Sequence, residues 1–503
     1  MSKLFRATVF ITGLTFIGQG LNFLINSFLA SKLGVGKEMD CYLNATSLPT
    51  YIIIIITGSL SATFIPTFVS VKSELKRINL ISSILFVGLF VGSIISILLY
   101  VYSIQIINIQ SPGFRFDLKI YSSILLRKSL ILINLTILNE IFSGYFYSIN
   151  QYLIPVLNKI ISPVITIFIL IVSNSNIDAS LVISASIIGL FLQNLILLIL
   201  YFKNGKRLNF NKIIPDDEAI KVFRLMIPLL IGSIFYKILP LFDKYFLSTL
   251  PIGSTSIVNY SQRLFLTATQ VMGAGLSMQV LSHMSNLVSE NNISEFKNTL
   301  NKIFKIILYV TIPITVFTLN YSSEIVKIVF ERGLFNSNNT EKVAINLMIY
   351  SIAIPAVAIG TIVSQGLYVL KHTWAPFIVG VFEILVYIII CYSLIKISGI
   401  LVFPIAYVIY FYFSIIILQF WLNRQINYIK LIEIINISSK CLIISLVEVL
   451  LLNSISKTFF QNYPVSILII LPLATILYII TTYYFKLNEA LFFISKISVK
   501  IKR

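Results

Sequence analysis

The chain has 503 residues, of which 57% are hydrophobic and only 11% charged, less than half the ~25% charge of a soluble globular domain. With a mean hydropathy of +0.93, this composition excludes a soluble enzyme, a disordered chain and a secreted disulfide scaffold, and it disfavours an outer-membrane barrel, whose strands alternate apolar and polar. Lys and Arg outnumber Asp and Glu by 38 to 19, a net charge of +19; no basic domain stands outside the apolar runs, so the excess reads as loops that orient helices and meet anionic headgroups, not as a nucleic-acid surface.

A spanning helix needs roughly 20 apolar residues, and segments long enough fall at 7–31, 41–69, 80–107, 124–149, 153–173, 180–202, 224–249, 256–285, 303–322, 343–369, 376–395, 400–422, 434–453 and 463–485. The expected fold is an all-α polytopic membrane protein of about 14 transmembrane helices. Lys3 and Arg6 ahead of the first segment mimic a signal peptide, but the run is too long and no small-residue cleavage site ends it, so it reads as a retained first helix. The longest loops, 203–218 and 286–297, leave no extramembrane domain. Cys41, Cys391 and Cys441 sit in apolar stretches without metal-ligand spacing, and His283 and His372 have no companion ligands. No P-loop, nucleophile elbow or HExxH occurs. Neither a cofactor, a metal nor an enzymatic activity is expected.

With the N-terminus placed inside, the cytoplasmic loops and tails carry 22 membrane-proximal cations and the opposite side 11. This bias orients both termini to the cytoplasm. The chain also repeats itself. Leu60-Ser61 and Ser73-Glu74 recur as Leu276-Ser277 and Ser289-Glu290, offset 216; Tyr102-Ser103, Ile106 and Ile109 recur as Tyr321-Ser322, Ile325 and Ile328, offset 219; Ile141, Ser143, Tyr147 and Pro155 recur as Ile362, Ser364, Tyr368 and Pro376, offset 221. Six helices per copy is an even number, so the copies share orientation, a parallel repeat about an axis along the membrane normal. The expected domains are 1–204 (helices 1–6), 218–423 (helices 7–12), and 432–503, two added helices with a basic cytoplasmic tail. Two equivalent six-helix bundles form an alternating-access layout.

Four stretches carry a family resemblance: Leu33-Gly34-Val35-Gly36 with Asp40 and Leu48-Pro49; Gly58-Ser59-Leu60-Ser61-Ala62-Thr63-Phe64-Ile65-Pro66; Pro251-Ile252-Gly253-Ser254 leading to Tyr260-Ser261-Gln262-Arg263-Leu264; and Phe330-Glu331-Arg332-Gly333-Leu334-Phe335. Together they resemble the MurJ/MviN family of lipid II flippases, within the multidrug/oligosaccharidyl-lipid/polysaccharide exporter superfamily. The resemblance implies fourteen helices, a central cavity, and transfer of a polyprenyl-diphosphate-linked saccharide from the cytoplasmic to the outer leaflet of the bacterial cytoplasmic membrane, with that lipid and the membrane lipids as partners and a monomer as the working unit. The family's first helix usually carries a Ser-Arg pair and then an Arg-Asp pair where this chain has Gly18-Gln19 and Ile25-Asn26, and an Arg pair after Leu-Pro where it has Tyr51-Ile52-Ile53-Ile54-Ile55-Ile56. These departures keep open a carrier of O-antigen or exopolysaccharide repeat units. A cation-coupled small-molecule antiporter of the same superfamily is a third reading.

Ionisable groups at membrane depth cost on the order of 3 kcal/mol on insertion scales and mark partners or wet cavities. Arg263 leads the candidates, because it lies at a family motif position and a guanidinium fork suits a diphosphate; its structural alternative is a pairing with Asp243. Lys237 and Lys244, seven apart, are expected on one face of the seventh helix, meeting phosphate or snorkelling to an interface. Asp40 is either a substrate-site carboxylate or an N-cap. Gln19, between Gly18 and Gly20, marks a polar notch or a close helix contact. Glu140 and Glu383 are the coupling candidates, or simply paired. Lys440 and Glu448 flank an expected groove for a lipid tail or snorkel near helix ends, and Glu331-Arg332 reads as a local ion pair ordering its loop.

Overall fold

The computed structural model describes residues 3–173, 177–209, 216–426, 431–459, 467–485, 487 and 489–491. The basic C-terminal tail and the side chain of His283 lie outside the described residues. All regular structure described is helical: α1 (Lys3–Leu33), α2 (Lys37–Ser70), α3 (Glu74–Val101), α4 (Ser103–Gln110), α5 (Phe116–Ser129), α6 (Ile131–Ser148), α7 (Leu153–Val172), α8 (Ala179–Lys203), α9 (Asp217–Lys237), α10 (Leu239–Leu247), α11 (Ser254–Ser289), α12 (Ile293–Phe330), α13 (Ser337–Ser351), α14 (Ile354–Val369), α15 (Trp374–Ser398), α16 (Val402–Ile426), α17 (Leu431–Phe459) and α18 (Ile467–Tyr484).

Each of the fourteen apolar segments overlaps one helix or two consecutive ones. By length and hydropathy, nine helices among the described residues suffice to cross a membrane, or ten if the bent pair α13–α14 is one span. One of those nine is the run Trp374–Ile426, which Gly399 (φ +53°) divides into α15 and α16. The segment 224–249 is also divided, between α9 and α10. Its cause is Pro240 in the first turn of α10: its ring clashes with the carbonyl four residues back, and it has no N–H to offer that carbonyl.

The chain folds as two compact units, Met1–Ser256 with Arg332–Phe335, and Ile257–Glu331 with Asn336–Arg503. The order of elements recurs. A long helix (α2, α11) leads to a second (α3, α12) that breaks at a tyrosine with non-helical backbone, Tyr102 (φ −92°, ψ 16°) and Tyr321 (φ −112°, ψ 22°). Two consecutive helices (α5–α6, α13–α14) and a hairpin (α7–α8, α15–α16) follow.

In the first unit, α2 meets α6 at Gly144, where a Cβ would lie 2.8 Å from the Phe64 ring. Around this contact Phe64, Phe68, Phe142, Tyr145, Phe146 and Tyr201 form a buried aromatic cluster, joined edge to face at Phe68–Tyr145, Phe142–Tyr201 and Tyr145–Tyr201. The α7–α8 hairpin closes on Gly189, whose Cβ would sit 2.7 Å from the Ser162 carbonyl oxygen. Small residues do this work in membranes because lipid gives no hydrophobic drive between helices, so association depends on close packing. In the second unit α12 packs one core with α14 and α16, including Phe296, Phe304, Leu367 and Leu422, and another with α17 and α18, including Phe317, Cys441, Leu452 and Tyr478.

Gly189→Ala forces the α7–α8 contact apart, whereas a Cβ at Gly58 meets nothing within 4 Å. Overpacking of this kind costs about 1–3 kcal/mol. Gly189→Ala is expected to lower the thermal midpoint of the purified protein by several degrees, about 2–4 °C per kcal/mol, while Gly58→Ala leaves it unchanged or raised; differential scanning fluorimetry checks both.

Candidate functional site

In the first unit the best-defined polar feature centres on Asp40. It sits in the first turn of α2 and is only 2% exposed. Its Oδ2 accepts the Gly253 N–H at 2.6 Å, and its Oδ1 accepts the Ser256 N–H at 2.8 Å and the Ser256 hydroxyl. Asp40 therefore caps the start of α11, not its own helix; the N-cap of α2 is Gly36, without a side-chain bond. A carboxylate suits that place, since unpaired N–H groups and the helix dipole converge there. Buried Lys244 on α10 is the cation whose charge acts on Asp40.

Glycines allow the surrounding loops to approach. Gly333 (φ +60°) lies against Ser31, with a Cβ position 2.2 Å from the Ser31 carbonyl oxygen, and the Leu334 N–H donates to that oxygen at 2.8 Å. Gly113 lies equally close to the Ser248 carbonyl, 2.3 Å from its Cβ position, and its N–H donates to the Ser248 hydroxyl at 3.2 Å. Asn44, one turn after Asp40, accepts the Ser111 hydroxyl on Oδ1 at 2.7 Å, while its backbone carbonyl accepts Gln110 Nε2 at 2.8 Å. The turn after α1, the loop after α4, the loop after α10 and residues 332–335 are thus tied into one closed patch.

The other candidates of this unit differ in burial. Lys237 ends α9 and is exposed, whereas Lys244 and Asp243 are buried on α10. The two lysines, expected on one face, differ in surroundings, and the one-residue interruption at Ile238 between them keeps helical backbone (φ −75°, ψ −22°). Burial also shows that Lys244 does not snorkel outward. Gln19 is exposed on α1, beside Gly18 and Gly20. Glu140 on α6 accepts a hydrogen bond from the Ser61 hydroxyl on α2.

In the second unit Arg263 is exposed on α11, yet its neighbours are fixed. Gln262 Nε2 donates to the Tyr350 hydroxyl at 3.0 Å, the Phe265 ring stacks on Tyr350 at 5.6 Å, and Tyr260 and Ser261 are buried. The guanidinium is presented from an anchored turn and leaves the unit's core to apolar groups. Glu383 on α15 is half-buried and accepts from the Ser414 hydroxyl of α16. Glu331 faces Lys327 at 3.8 Å and accepts the Thr340 hydroxyl at 2.5 Å.

Beside α18 an apolar groove of about 270 Å³ is lined by Tyr309, Pro313 and Phe317 of α12 and by Leu471, Ala474 and Tyr478. Glu448 is 3% exposed and accepts the Thr481 hydroxyl at 2.7 Å, while Lys440 is exposed. Glu448 thus points between the last two helices; it neither snorkels nor flanks the groove with Lys440. Sequence reading missed the partners Gly253, Ser256, Ser61, Ser414 and Thr481. Pro251-Ile252-Gly253-Ser254 was visible as a motif, but nothing in its residue types names the carboxylate it receives.

The described residues contain no cluster of three or more His, Cys, Asp or Glu able to hold a metal. Among solved structures, the fold is similar to a lipid II flippase MurJ in an inward closed conformation, with a TM-score of 0.82 at 23% identity over 95% of this chain and 98% of that one. It is also similar to an inward-facing multidrug resistance MATE transporter of the MOP superfamily, with a TM-score of 0.68 at 12% identity over 81% and 94%. By sequence, the chain is 26% identical over 393 residues to a probable lipid II flippase MurJ of Rickettsia prowazekii, covering 76% of both chains. It is 24% identical over 444 residues to a protein of the same description from Buchnera aphidicola subsp. Baizongia pistaciae, covering 86% and 84%. The model of the family described as lipid II flippase MurJ matches residues 29–472, and on that extent the chain belongs to the lipid II flippase MurJ family.

Proposed function

We propose that the protein carries lipid II from the cytoplasmic to the outer leaflet of the bacterial cytoplasmic membrane by alternating access. The observation that carries this reading is the family match over residues 29–472. The relatives reported above bear the same description at coverage well beyond half of each chain, which favours lipid II over an O-antigen or exopolysaccharide unit. The antiporter reading is not favoured, because the MATE likeness at 12% identity is one of fold.

On this reading the fourteen apolar segments are fourteen crossings with both termini inside, residues 1–204 and 218–423 are the two lobes, and 432–503 is the added helix pair and tail. The 53 residues of Trp374–Ile426 at 1.5 Å each exceed twice the ~30 Å hydrocarbon core, so they supply two crossings. The protein acts as a monomer, without cofactor or nucleic acid.

The roles follow from charge and placement. In the second unit Arg263, exposed on a fixed turn, holds the diphosphate through its fork; in the first unit the cation Lys237 and the neutral hydrogen-bonding Gln19 are each a separate candidate for contact with cargo. Asp40 acts indirectly: its oxygens are occupied by the α11 start, and a carboxylate repels a diphosphate. Its role is to hold the closed patch. Asp243 balances nearby cations. Glu140 and Glu383, held by Ser61 and Ser414, are the coupling carboxyls. The groove beside α18 takes the polyprenyl chain.

In cells depleted of their own lipid II flippase, the wild-type chain is expected to restore growth. Arg263→Ala fails at undiminished protein level and Arg263→Lys restores growth in part, since one charge-assisted contact contributes about 1.5–3 kcal/mol. Asp243→Asn expresses normally; folding loss equal to that of Arg263→Ala would instead mark the two as a structural pair. Growth and immunoblotting read these outcomes.

Asp40→Ala leaves buried donors at Gly253 and Ser256 without an acceptor, at about 1–3 kcal/mol each. The thermal midpoint should fall, with Asp40→Asn intermediate because one carbonyl oxygen remains. Deleting residues 432–503 should abolish complementation while the first twelve helices still insert, as protease protection reads.

A further inference from the structure

The first unit holds a second apolar cavity, of about 390 Å³, between α2, α3, α6 and α9. Only Tyr51 among its lining residues carries a polar side-chain atom, and the Tyr51 hydroxyl is spent on the Ile234 carbonyl at 2.8 Å. The polyprenyl groove lies elsewhere, in the second unit, so none of the roles assigned above uses this cavity.

Its position repeats that groove. Val91 and Ile95 of α3 line the cavity, and Val310 and Ile314 of α12 line the groove. Both pairs are related by the offset of 219 that links Tyr102 to Tyr321. The same place on the repeat is hollow in both units.

The cavity has a basic end. On α9, Arg224, Ile227, Ile231 and Ile234 are spaced three, four and three apart, which sets them on one helix face; Phe223, Ile227 and Ile234 line the cavity, and Arg224 and Lys221 are exposed beside Phe223, where the α9 lining begins. On α3, Arg77 lies seven residues before the lining residue Ile84, on the same face, with its ring-stacked guanidinium held over Phe68 and on the Val71 carbonyl. The loop after α8 covers this end: Lys206 pairs with Glu74, and the Asn209 N–H donates to the Ser82 hydroxyl at 2.9 Å. Of the acidic groups here, Glu74 pairs with Lys206 and Asp216 is the N-cap of α9 through the Ala219 N–H, while Asp217 and Glu218 lie in its first turn, ahead of Lys221 and Arg224.

Depth selects the occupant. From Ile84 to Ile95 the lining of α3 spans about 16 Å, half of the ~30 Å hydrocarbon core and so the reach of one leaflet's acyl chain. A polyprenyl chain is far longer. We infer that this cavity is a binding site for an acidic glycerophospholipid, with one acyl chain between α3 and α9 and its phosphate on Arg224. The site is independent of the transport assignment, since it would bind lipid whatever the cargo.

The test is native mass spectrometry of the purified full chain titrated with phosphatidylglycerol and phosphatidylcholine of identical chains. The wild type should prefer phosphatidylglycerol by about fivefold, the order expected of one cation at a headgroup. Arg224→Gln should equalise the two lipids without changing the thermal midpoint. Val91→Trp, which fills the cavity from a half-exposed position, should weaken both; Ile227→Trp serves if that variant fails to fold. Equal binding of both lipids by the wild type, or a preference surviving Arg224→Gln, overturns the headgroup assignment. Binding unaffected by a folded cavity-filling variant overturns the chain assignment. Polyprenyl phosphate losing affinity in that variant while phosphatidylglycerol does not would hand the cavity to the cargo and overturn the proposal.

Discussion

The structure depends on a single constraint: a polar group shut away from water must find a partner inside the protein, because burying it unpaired is costly. The Asp40 carboxylate is the sharpest case. At 2% exposure it is tolerable only because three donors from Gly253 and Ser256 converge on it. The same contacts satisfy N–H groups at the start of α11 that no helical carbonyl reaches. One side chain thus solves two problems, and in doing so ties the beginning of α2 to the beginning of α11.

That tie needs backbone to meet backbone, which explains the glycines. Gly34, Gly253 and Gly333 adopt positive φ, and a Cβ at Gly113 or Gly333 would collide with a carbonyl oxygen. The motifs Leu33-Gly34-Val35-Gly36 and Glu331-Arg332-Gly333 therefore serve shape more than chemistry. The cations proposed to meet cargo, Arg263 and Lys237, are exposed, while Glu140, Glu383 and Glu448 each hold a hydroxyl from a neighbouring helix.

Much of this was legible in the residues. Apolar length located every helix or helix pair, because the hydrocarbon core fixes how long a span must be. The tyrosine that ends α3 and kinks α12 was already paired with its counterpart by the repeat offset. What the sequence hid were contacts between distant segments. The Asp40 carboxylate read as either a substrate-site group or the cap of its own helix, because local spacing cannot point across 213 residues. Lys237 and Lys244 looked equivalent by spacing, but spacing does not give burial, and only the fold shows one exposed and the other buried. Ser61, Ser414 and Thr481 are small hydroxyl residues of a kind scattered through every helix, and only the fold shows which ones meet a carboxylate.

The central claim is that this chain moves a diphosphate-linked lipid with the cationic burden on Arg263, other residues standing at the places in the first two helices where the family usually carries its arginine pairs. Reconstitution into vesicles with lipid II in both leaflets tests it directly, by following how fast the inner pool becomes accessible to an external enzyme that acts on the exposed headgroup. The account predicts protein-dependent transfer of lipid II that is lost when Arg263 is replaced by Ala. Transfer of a surface-polysaccharide carrier lipid without transfer of lipid II, or lipid II transfer at full rate without Arg263, would contradict it.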